Sequence, residues 1–139
     1  MVWPYNFVLF LQKQWVINMK LIRWIVGQII LALDFLTRPK PIIRGIGEQA
    51  IVDAKTANMS LYQFNACPFC VKVRRQMRRH SLNIELRDAK NNLSFKNELI
   101  KEGGKHKVPC LRIETTNLNV RWMYSSEDIC SFLDKEFNL

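Results

Sequence analysis

Two cysteines separated by two residues, Cys67 and Cys70, lie where the residue pattern changes from that of a strand to that of a helix. Residues 59–64 alternate apolar and polar side chains, which is typical of a half-buried strand. Pro68 suits the first turn of a helix, because the N–H group that it lacks would have no helical partner there. Apolar residues then recur at helical spacing as far as residue 80. The motif therefore predicts a strand that passes directly into a helix, with Cys67 at the helix N-terminus.

The residues after this helix complete a regular pattern. It predicts strands at 82–87, 108–113 and 118–123, a helix at 94–101 and a polar turn at 114–117. A last helix begins at Ser125. In this βαβαββα order, one parallel crossover and one hairpin give a mixed four-stranded sheet with helices on both faces. The predicted fold class is therefore α/β, with this domain at 57–139.

The N-terminal segment is different in character. Residues 5–36 are mostly apolar, but charged side chains interrupt them, and the longest uncharged run among them, 24–33, falls short of the about 20 residues that a spanning helix needs. We therefore expect either a short anchor from about 14 to 36 or a helix that lies in the headgroup layer. Both interpretations place the hydrophobic segment 1–37 at a membrane. A hydrophobic helix docked on the protein's own domain or on a second copy is the remaining alternative.

Residues 38–56 contain prolines, glycines and basic side chains, and they are interpreted as a linker. Positive charge beside a membrane segment tends to stay in the cytoplasm, so the following domain is expected on that side. The chain has 21 Lys and Arg against 12 Asp and Glu, a net charge of +9, which favours anionic partners. Nucleic acid is not expected as a partner, because the arginines lack interleaved exposed aromatic residues.

The chemistry is expected at the two cysteines. At a helix N-terminus, a thiolate on Cys67 faces unsatisfied backbone N–H groups and the positive end of the helix dipole, which favours a nucleophile at neutral pH. Cys70 lies one turn further on, close enough to attack a mixed disulfide formed on Cys67. Basic side chains on the same helix either attract anionic thiols or form an ordinary solvated face: Lys72, Arg74, Arg75, Arg78 and Arg79.

A structural zinc site or a plain disulfide would also use a Cys-x-x-Cys pair. Zinc requires two further ligands at suitable spacing, and Cys110 and Cys130 do not form a second such pair, so no metal is expected. Cys110 is interpreted as a small buried strand residue. His80 and His106 are expected to be solvated and are assigned no role.

Three blocks of this sequence resemble the glutaredoxin family, whose fold is thioredoxin-like. Residues 61–70, Leu-Tyr-Gln-Phe-Asn-Ala-Cys-Pro-Phe-Cys, resemble its active-site entry, and Lys107-Val108-Pro109 resembles its Val-Pro step. Residues 122–129, Trp-Met-Tyr-Ser-Ser-Glu-Asp-Ile, are similar to the glutathione-binding turn that glutaredoxins share with the N-terminal domains of glutathione transferases. Together the blocks cover residues 59–137 in the order of the family.

The resemblance implies that Cys67 is the nucleophile, that Cys70 is the resolving thiol and that the peptide bond before Pro109 is cis. The glutathione contacts that it implies are Phe69, Lys107, Val108, Pro109, Ser126, Glu127 and Asp128. Backbone N–H groups at the helix start would take the γ-glutamyl carboxylate, although Ser125 to Asp128 also matches a helix capping box. Glutaredoxins often have a lysine shortly before the first cysteine, and here Lys105 or Lys107 would substitute for it.

The resemblance implies a glutathione-dependent thiol–disulfide oxidoreductase, and the hydrophobic N-terminal segment predicts that it is membrane-associated. It would reduce protein disulfides or glutathione mixed disulfides, with glutathione as co-substrate. Two alternatives stay open. One is a non-catalytic module that binds glutathione or an iron–sulfur cluster at a membrane. The other is a fragment similar to a glutathione transferase, which is the weaker alternative because no helical second domain follows.

Overall fold

The computed structural model describes residues 5–116 and 119–137. The elements follow in the order α1 Tyr5–Leu36, α2 Ile46–Thr56, β1 Met59–Gln63, α3 Pro68–Arg79, β2 Glu85–Asp88, α4 Leu93–Lys101, β3 Cys110–Thr116, β4 Asn119–Met123 and α5 Ser126–Phe137. The chain divides into two compact units, of which the first ends at Leu36 and the second begins at Thr37.

The first unit is the long helix α1. Its charged residues do not interrupt it, because Lys and Arg are good helix formers. From Gln12 to Leu36 the helix is long and apolar enough to cross a bilayer. Trp15 and Trp24 are 73% and 63% exposed, so these large apolar side chains are left uncovered. By length and composition, this helix could serve as a membrane anchor or as a signal.

The second unit has the predicted βαβαββα order after α2. Its strands form one sheet in the order β2-β1-β3-β4. Strand β1 pairs parallel with β2 and antiparallel with β3, and β3 pairs antiparallel with β4. The sequence-based prediction of a mixed, thioredoxin-like α/β sheet is therefore confirmed.

Helices cover both faces of this sheet. Leu61 and Tyr62 are neighbours on β1, and because side chains alternate along a strand they point to opposite faces. Leu61 packs in one core cluster with Val73 of α3 and Leu133 of α5. Tyr62 packs in a second cluster with Leu99 of α4. Helices α3 and α5 therefore share one face of the sheet, and α4 covers the other.

Helix α2 lies in the interval 38–56, which the sequence analysis interpreted as a linker. Its Val52 is 3% exposed and belongs to the same core cluster as Leu133 of α5. Val52 and Thr56 are the buried residues of this helix. Two buried positions one turn apart are too few for a helical period to be recognised in the sequence.

Two element boundaries differ from the predictions by three residues, and the others differ by no more than two. Strand β2 begins at Glu85 rather than at residue 82, because the preceding residues complete the end of α3. Ser81 adopts the left-handed conformation, with φ 52°, and the N–H group of Leu82 donates to the carbonyl of Met77 at 2.9 Å. These features form a Schellman motif, which satisfies the last helical carbonyls. Strand β3 continues to Thr116, through most of the predicted turn 114–117, of which residue 117 lies outside the described residues.

His80 is a correction to the sequence analysis, which expected a solvated side chain. It is only 3% exposed, and its Nε2 atom lies 2.7 Å from Oδ1 of Asp134 on α5. The same nitrogen lies 3.1 Å from Nε2 of Gln76, one turn earlier on α3. The end of α3 packs against α5, so the His80 ring is enclosed between the two helices, while the Asp134 side chain is half exposed. His106 is exposed, as expected.

Gly103 follows α4 at a position where atoms of other residues lie close to its Cα atom. A substitution there therefore tests the packing. A Cβ atom there would lie 2.6 Å from the carbonyl oxygen of Leu99 and 3.0 Å from Cε3 of Trp122. Because the nearer of these atoms belongs to the backbone, we expect Gly103→Ala to lower the free energy of unfolding by about 1–3 kcal/mol, measured by urea denaturation. Gly47→Ala is the matched control, since a Cβ at Gly47 meets no atom within 4 Å. Equal urea midpoints for the two variants would contradict this packing.

Candidate active site

Three segments that are distant in the chain meet at one end of the sheet. In the register of the strands, Tyr62 pairs with Cys110, and Leu111 pairs with Met123. Because both pairings are antiparallel, the end of β1, the start of β3 and the end of β4 lie side by side. The connections at this end of the sheet are residues 64–67, 107–109 and 124–125. All three contain or adjoin the residues that the sequence analysis selected.

Cys67 is the N-cap residue of α3, with φ −75° and ψ 125°. Its carbonyl accepts the first helical hydrogen bond, from the N–H group of Val71 at 2.9 Å. Pro68 begins the helix, as its lack of an N–H group favours. The Cys67 side chain is partly exposed, so its sulfur lies within reach of solvent at the positive end of the helix dipole.

Cys70 lies one helical turn after Cys67 and is fully buried. Burial, and after it the negative charge of Cys67, raises the pKa of the Cys70 thiol to about 12. The positive charge of Arg74 acts in the opposite direction. Both cysteines are free thiols. The pair therefore consists of one accessible sulfur and one enclosed sulfur that stays protonated at neutral pH.

Two basic side chains of α3, Arg74 and Lys72, have partners that bear on the candidate site. Arg74 donates to the side chain of Gln63 and, at 2.7 Å, to the carbonyl oxygen of Asn65. It thereby fastens α3 to the loop that leads into Cys67, a positioning role that the sequence analysis missed because no local pattern indicates it. Lys72 lies 3.7 Å from Glu127, and both side chains are largely exposed, so this ion pair contributes little to stability.

The second segment contains a cis peptide bond between Val108 and Pro109. Pro109 is buried, and Val108 is half-buried against the core cluster under α4. The ladder between β1 and β3 begins only at Cys110, so the backbone of Val108 precedes it. Lys107 is exposed. Cys110 itself is fully buried, as predicted for a strand residue.

The third segment is the turn from β4 into α5. The N–H group of Asp128 donates to Oγ of Ser125 at 3.3 Å, and the carbonyl of Ser125 accepts from Ile129 at 2.9 Å. Ser125 therefore caps the helix, which is the structural interpretation that the sequence analysis left open. The ion pair between Glu127 and Lys72 places this first turn beside α3, the helix that carries the cysteines.

Tyr124 is a further residue that sequence reasoning missed, although it lies inside the third resembling block. Its hydroxyl donates to the carbonyl oxygen of Gly103 at 2.5 Å, which ties the turn before α5 to the end of α4. Burial, and after it the neighbouring Cys110, raises the pKa of this hydroxyl to about 12. Tyr124 thus holds the Ser125 turn at the same end of the sheet as Cys67.

The thiols differ enough in burial to predict their order of reaction. We expect iodoacetamide to alkylate Cys67 in the native protein at pH 8, while Cys70 and Cys110 stay unmodified because burial raises the pKa of each to about 12. In urea both buried thiols should react as well. Peptide mass mapping after timed alkylation measures the order. Modification of Cys70 ahead of Cys67 in the folded protein would contradict the described arrangement.

The comparisons with known proteins give one match. Residues 59–116 match the family model described as Glutaredoxin. No curated protein and no solved structure matches the chain. Among the residues that the structure describes, no group of three or more His, Cys, Asp and Glu side chains could hold a metal ion.

Proposed function

We propose that this protein is a glutathione-dependent thiol–disulfide oxidoreductase, because residues 59–116 match the glutaredoxin family model. Its substrates would be protein disulfides and glutathione mixed disulfides, and glutathione would be the co-substrate. The single observation that carries the proposal is the strand register, in which Tyr62 pairs with Cys110 and Leu111 with Met123. That register supports one site made of the Cys67 loop, the Val108–Pro109 step and the start of α5.

The reduction of a glutathione mixed disulfide requires only Cys67. Its thiolate attacks the glutathione sulfur, a new Cys67–glutathione disulfide forms, and the protein substrate leaves as a thiolate that takes up a proton. A second glutathione thiolate then attacks the glutathione sulfur on Cys67. Oxidised glutathione leaves and the Cys67 thiolate is restored. Two glutathione molecules, one of them from the substrate, thus become one disulfide.

The reduction of a protein disulfide requires Cys70 as well. Cys67 attacks one substrate sulfur, and the other leaves as a thiolate. Cys70, one turn away, then attacks the Cys67 sulfur, so that a Cys67–Cys70 disulfide forms and the substrate departs with both sulfurs reduced. The proton of Cys70 passes to the departing thiolate. Two glutathione molecules reduce the internal disulfide in turn.

Glutathione would lie along the end of the sheet. The backbone of Val108, which precedes the β1–β3 ladder, would pair with the cysteinyl part like an added strand. The first turn of α5, with Ser126, Glu127 and Asp128, would hold the γ-glutamyl end, because N–H groups at a helix start bind carboxylates and an acidic side chain can take the ammonium. The exposed Lys107 would meet the glycyl carboxylate, and the exposed Phe69 would pack on the peptide.

We further propose that α1 holds the protein at a membrane and that the domain faces the cytoplasm. The length and apolar character of Gln12–Leu36 support the first part. The second part is supported by the basic residues Arg38, Lys40 and Arg44, which follow the helix at once.

A coupled assay tests the proposed activity on the full chain in detergent. Glutathione, glutathione reductase, NADPH and a small glutathione mixed disulfide are supplied, and NADPH oxidation is followed. We expect turnover that disappears when glutathione is omitted. A folded protein that gives no oxidation above the enzyme-free rate would overturn the proposal. If the same preparation were brown, with visible absorption, an iron–sulfur binding module would replace it.

A further inference from the structure

The outward side of α2 is apolar, which is unusual for a surface helix that already has a buried side. Ile46 is 94% exposed, and Ile51 is 63% exposed. Ala50 and Ala54 are exposed as well. At 100° per residue these four side chains fall within an arc of about 140°, and they are called the α2 face below. Ile43, which is 95% exposed, precedes the helix by three residues.

The charged residues of α2 lie outside this arc but border it. Glu48 and Lys55 adjoin Ile51 at one edge, three residues before it and four residues after it, and Lys55 pairs with Glu136 at 3.2 Å. Asp53, at the edge of the arc, accepts hydrogen bonds from Gln49 and Asn83 at 2.8 and 2.9 Å. No charged side chain lies within the α2 face, which is therefore an apolar surface exposed to solvent.

The surroundings favour a lipid surface as the occupant. Helix α1, long and apolar enough to span a bilayer, ends at Leu36, ten residues before Ile46, a reach of at most about 35 Å. Arg38 and Lys40 are exposed in the connecting segment, and such residues attract anionic headgroups. A stable dimer interface takes about 800 Å² from each partner, more than a face with two alanines among its four side chains supplies.

We propose that the α2 face and Ile43 insert into the headgroup layer of an anionic membrane, the same membrane that α1 enters. This inference rests on the membrane association proposed above and is independent of the thiol chemistry. Isoleucines at the depth of the headgroups, with basic residues beside them, are the pattern of interfacial membrane contacts. The catalytic unit would thus have its own lipid contact, apart from the N-terminal helix.

This contact would set the orientation of the active site, because the segment before α2 is fixed to one end of α3. The N–H group of Ile42 donates to the carbonyl of Arg79 at 3.0 Å, and Oγ of Ser81 donates to the carbonyl of Ile42 at 2.6 Å. Cys67 lies at the opposite end of this 12-residue helix, about 18 Å away. Docking through Ile43 and α2 would therefore hold Cys67 away from the lipid, open to aqueous substrates.

Photo-crosslinking on the full chain tests the proposal. p-Benzoylphenylalanine is introduced at Ile46 or at Ile51, and the protein is reconstituted into vesicles of phosphatidylcholine and phosphatidylserine. The matched control position is Ile100, an isoleucine that is 41% exposed on α4, on the other face of the sheet. After irradiation, mass spectrometry identifies the adducts. We expect about tenfold more lipid adduct at positions 46 and 51 than at position 100.

Three outcomes would overturn the proposal: equal lipid labelling at Ile46 and Ile100, adducts to a second copy of the chain in place of lipid, or failure of the chain to float with the vesicles. Far-UV circular dichroism confirms that each variant is folded, which exposed positions should allow. The coupled assay uses a soluble mixed disulfide and needs no vesicles. Loss of lipid labelling in a chain that still floats with the vesicles and retains turnover would therefore reject this inference alone. Failure to float would also reject the proposed membrane association, and lipid labelling without turnover would reject only the thiol chemistry.

Discussion

We expect replacement of Cys67 by serine to lower turnover in the coupled glutathione assay by about a thousandfold or more, because a hydroxyl is ionised far less readily than a thiol and the attacking sulfur of the proposed mechanism is lost. This is the largest effect that we expect from any single substitution. The reason is geometric as well as chemical, since Cys67 is the partly exposed thiol of the pair and Cys70 is fully buried. The rate of NADPH oxidation at fixed glutathione measures the effect.

Cys70→Ser separates the two reactions of the proposed mechanism. Reduction of a glutathione mixed disulfide should persist in this variant, because that route uses only Cys67. Reduction of a protein disulfide should fall sharply, since the resolving attack is lost. Cys130→Ser is the matched control: Cys130 is a half-buried thiol on α5, outside the proposed site, and its replacement should leave both rates unchanged. Wild-type turnover by Cys67→Ser would refute the assignment of the nucleophile.

The second large effect concerns the last residue of α5. Phe137 is 1% exposed and packs in the core cluster that also contains Val52 of α2 and Leu133 of α5. We expect Phe137→Ala to lower the free energy of unfolding by about 3–5 kcal/mol, because it removes a buried ring and leaves a cavity. Urea denaturation followed by far-UV circular dichroism measures the loss.

Leu93→Ala is the control for this substitution. Leu93 is 68% exposed at the start of α4, so its replacement should change the free energy of unfolding by less than about 0.5 kcal/mol. Phe137 lies outside residues 59–116, the range of the family match. If Phe137→Ala lowered the free energy of unfolding no more than Leu93→Ala does, Phe137 would not be packed in the core, contrary to the described structure.

The order of the strands and helices could be predicted from the sequence because each element carries a local signal. The alternation at residues 59–64, Pro68 after the first cysteine and the helical recurrence beyond it are all short-range patterns. The start of β2 lies three residues later than predicted, because Ser81 and Leu82 form the end of α3. The alternation of apolar and polar side chains does not reveal that helix end. The cis bond before Pro109 followed from the family resemblance and from no physical signal in the sequence.

What the sequence did not indicate depends on contacts between distant residues. His80 is buried because Asp134, 54 residues later, lies against it across two packed helices. Helix α2 is held by Val52, whose core partners include residues of α5. Arg75 donates to the carbonyl of Thr37 at 2.6 Å, 38 residues earlier. A run of basic residues indicates charge but not which of its members the fold uses internally.

The unequal burial of the two thiols bears on the timing of the proposed reaction. Burial first, and the negative charge of Cys67 after it, raise the pKa of Cys70 to about 12. In the proposed mechanism, Cys67 becomes neutral when it joins a substrate sulfur, so the electrostatic contribution vanishes while burial remains. Cys70 would then give up its proton more readily than before. Capture of the substrate would thus prepare the step that releases it, and without bound substrate the second sulfur would stay protonated.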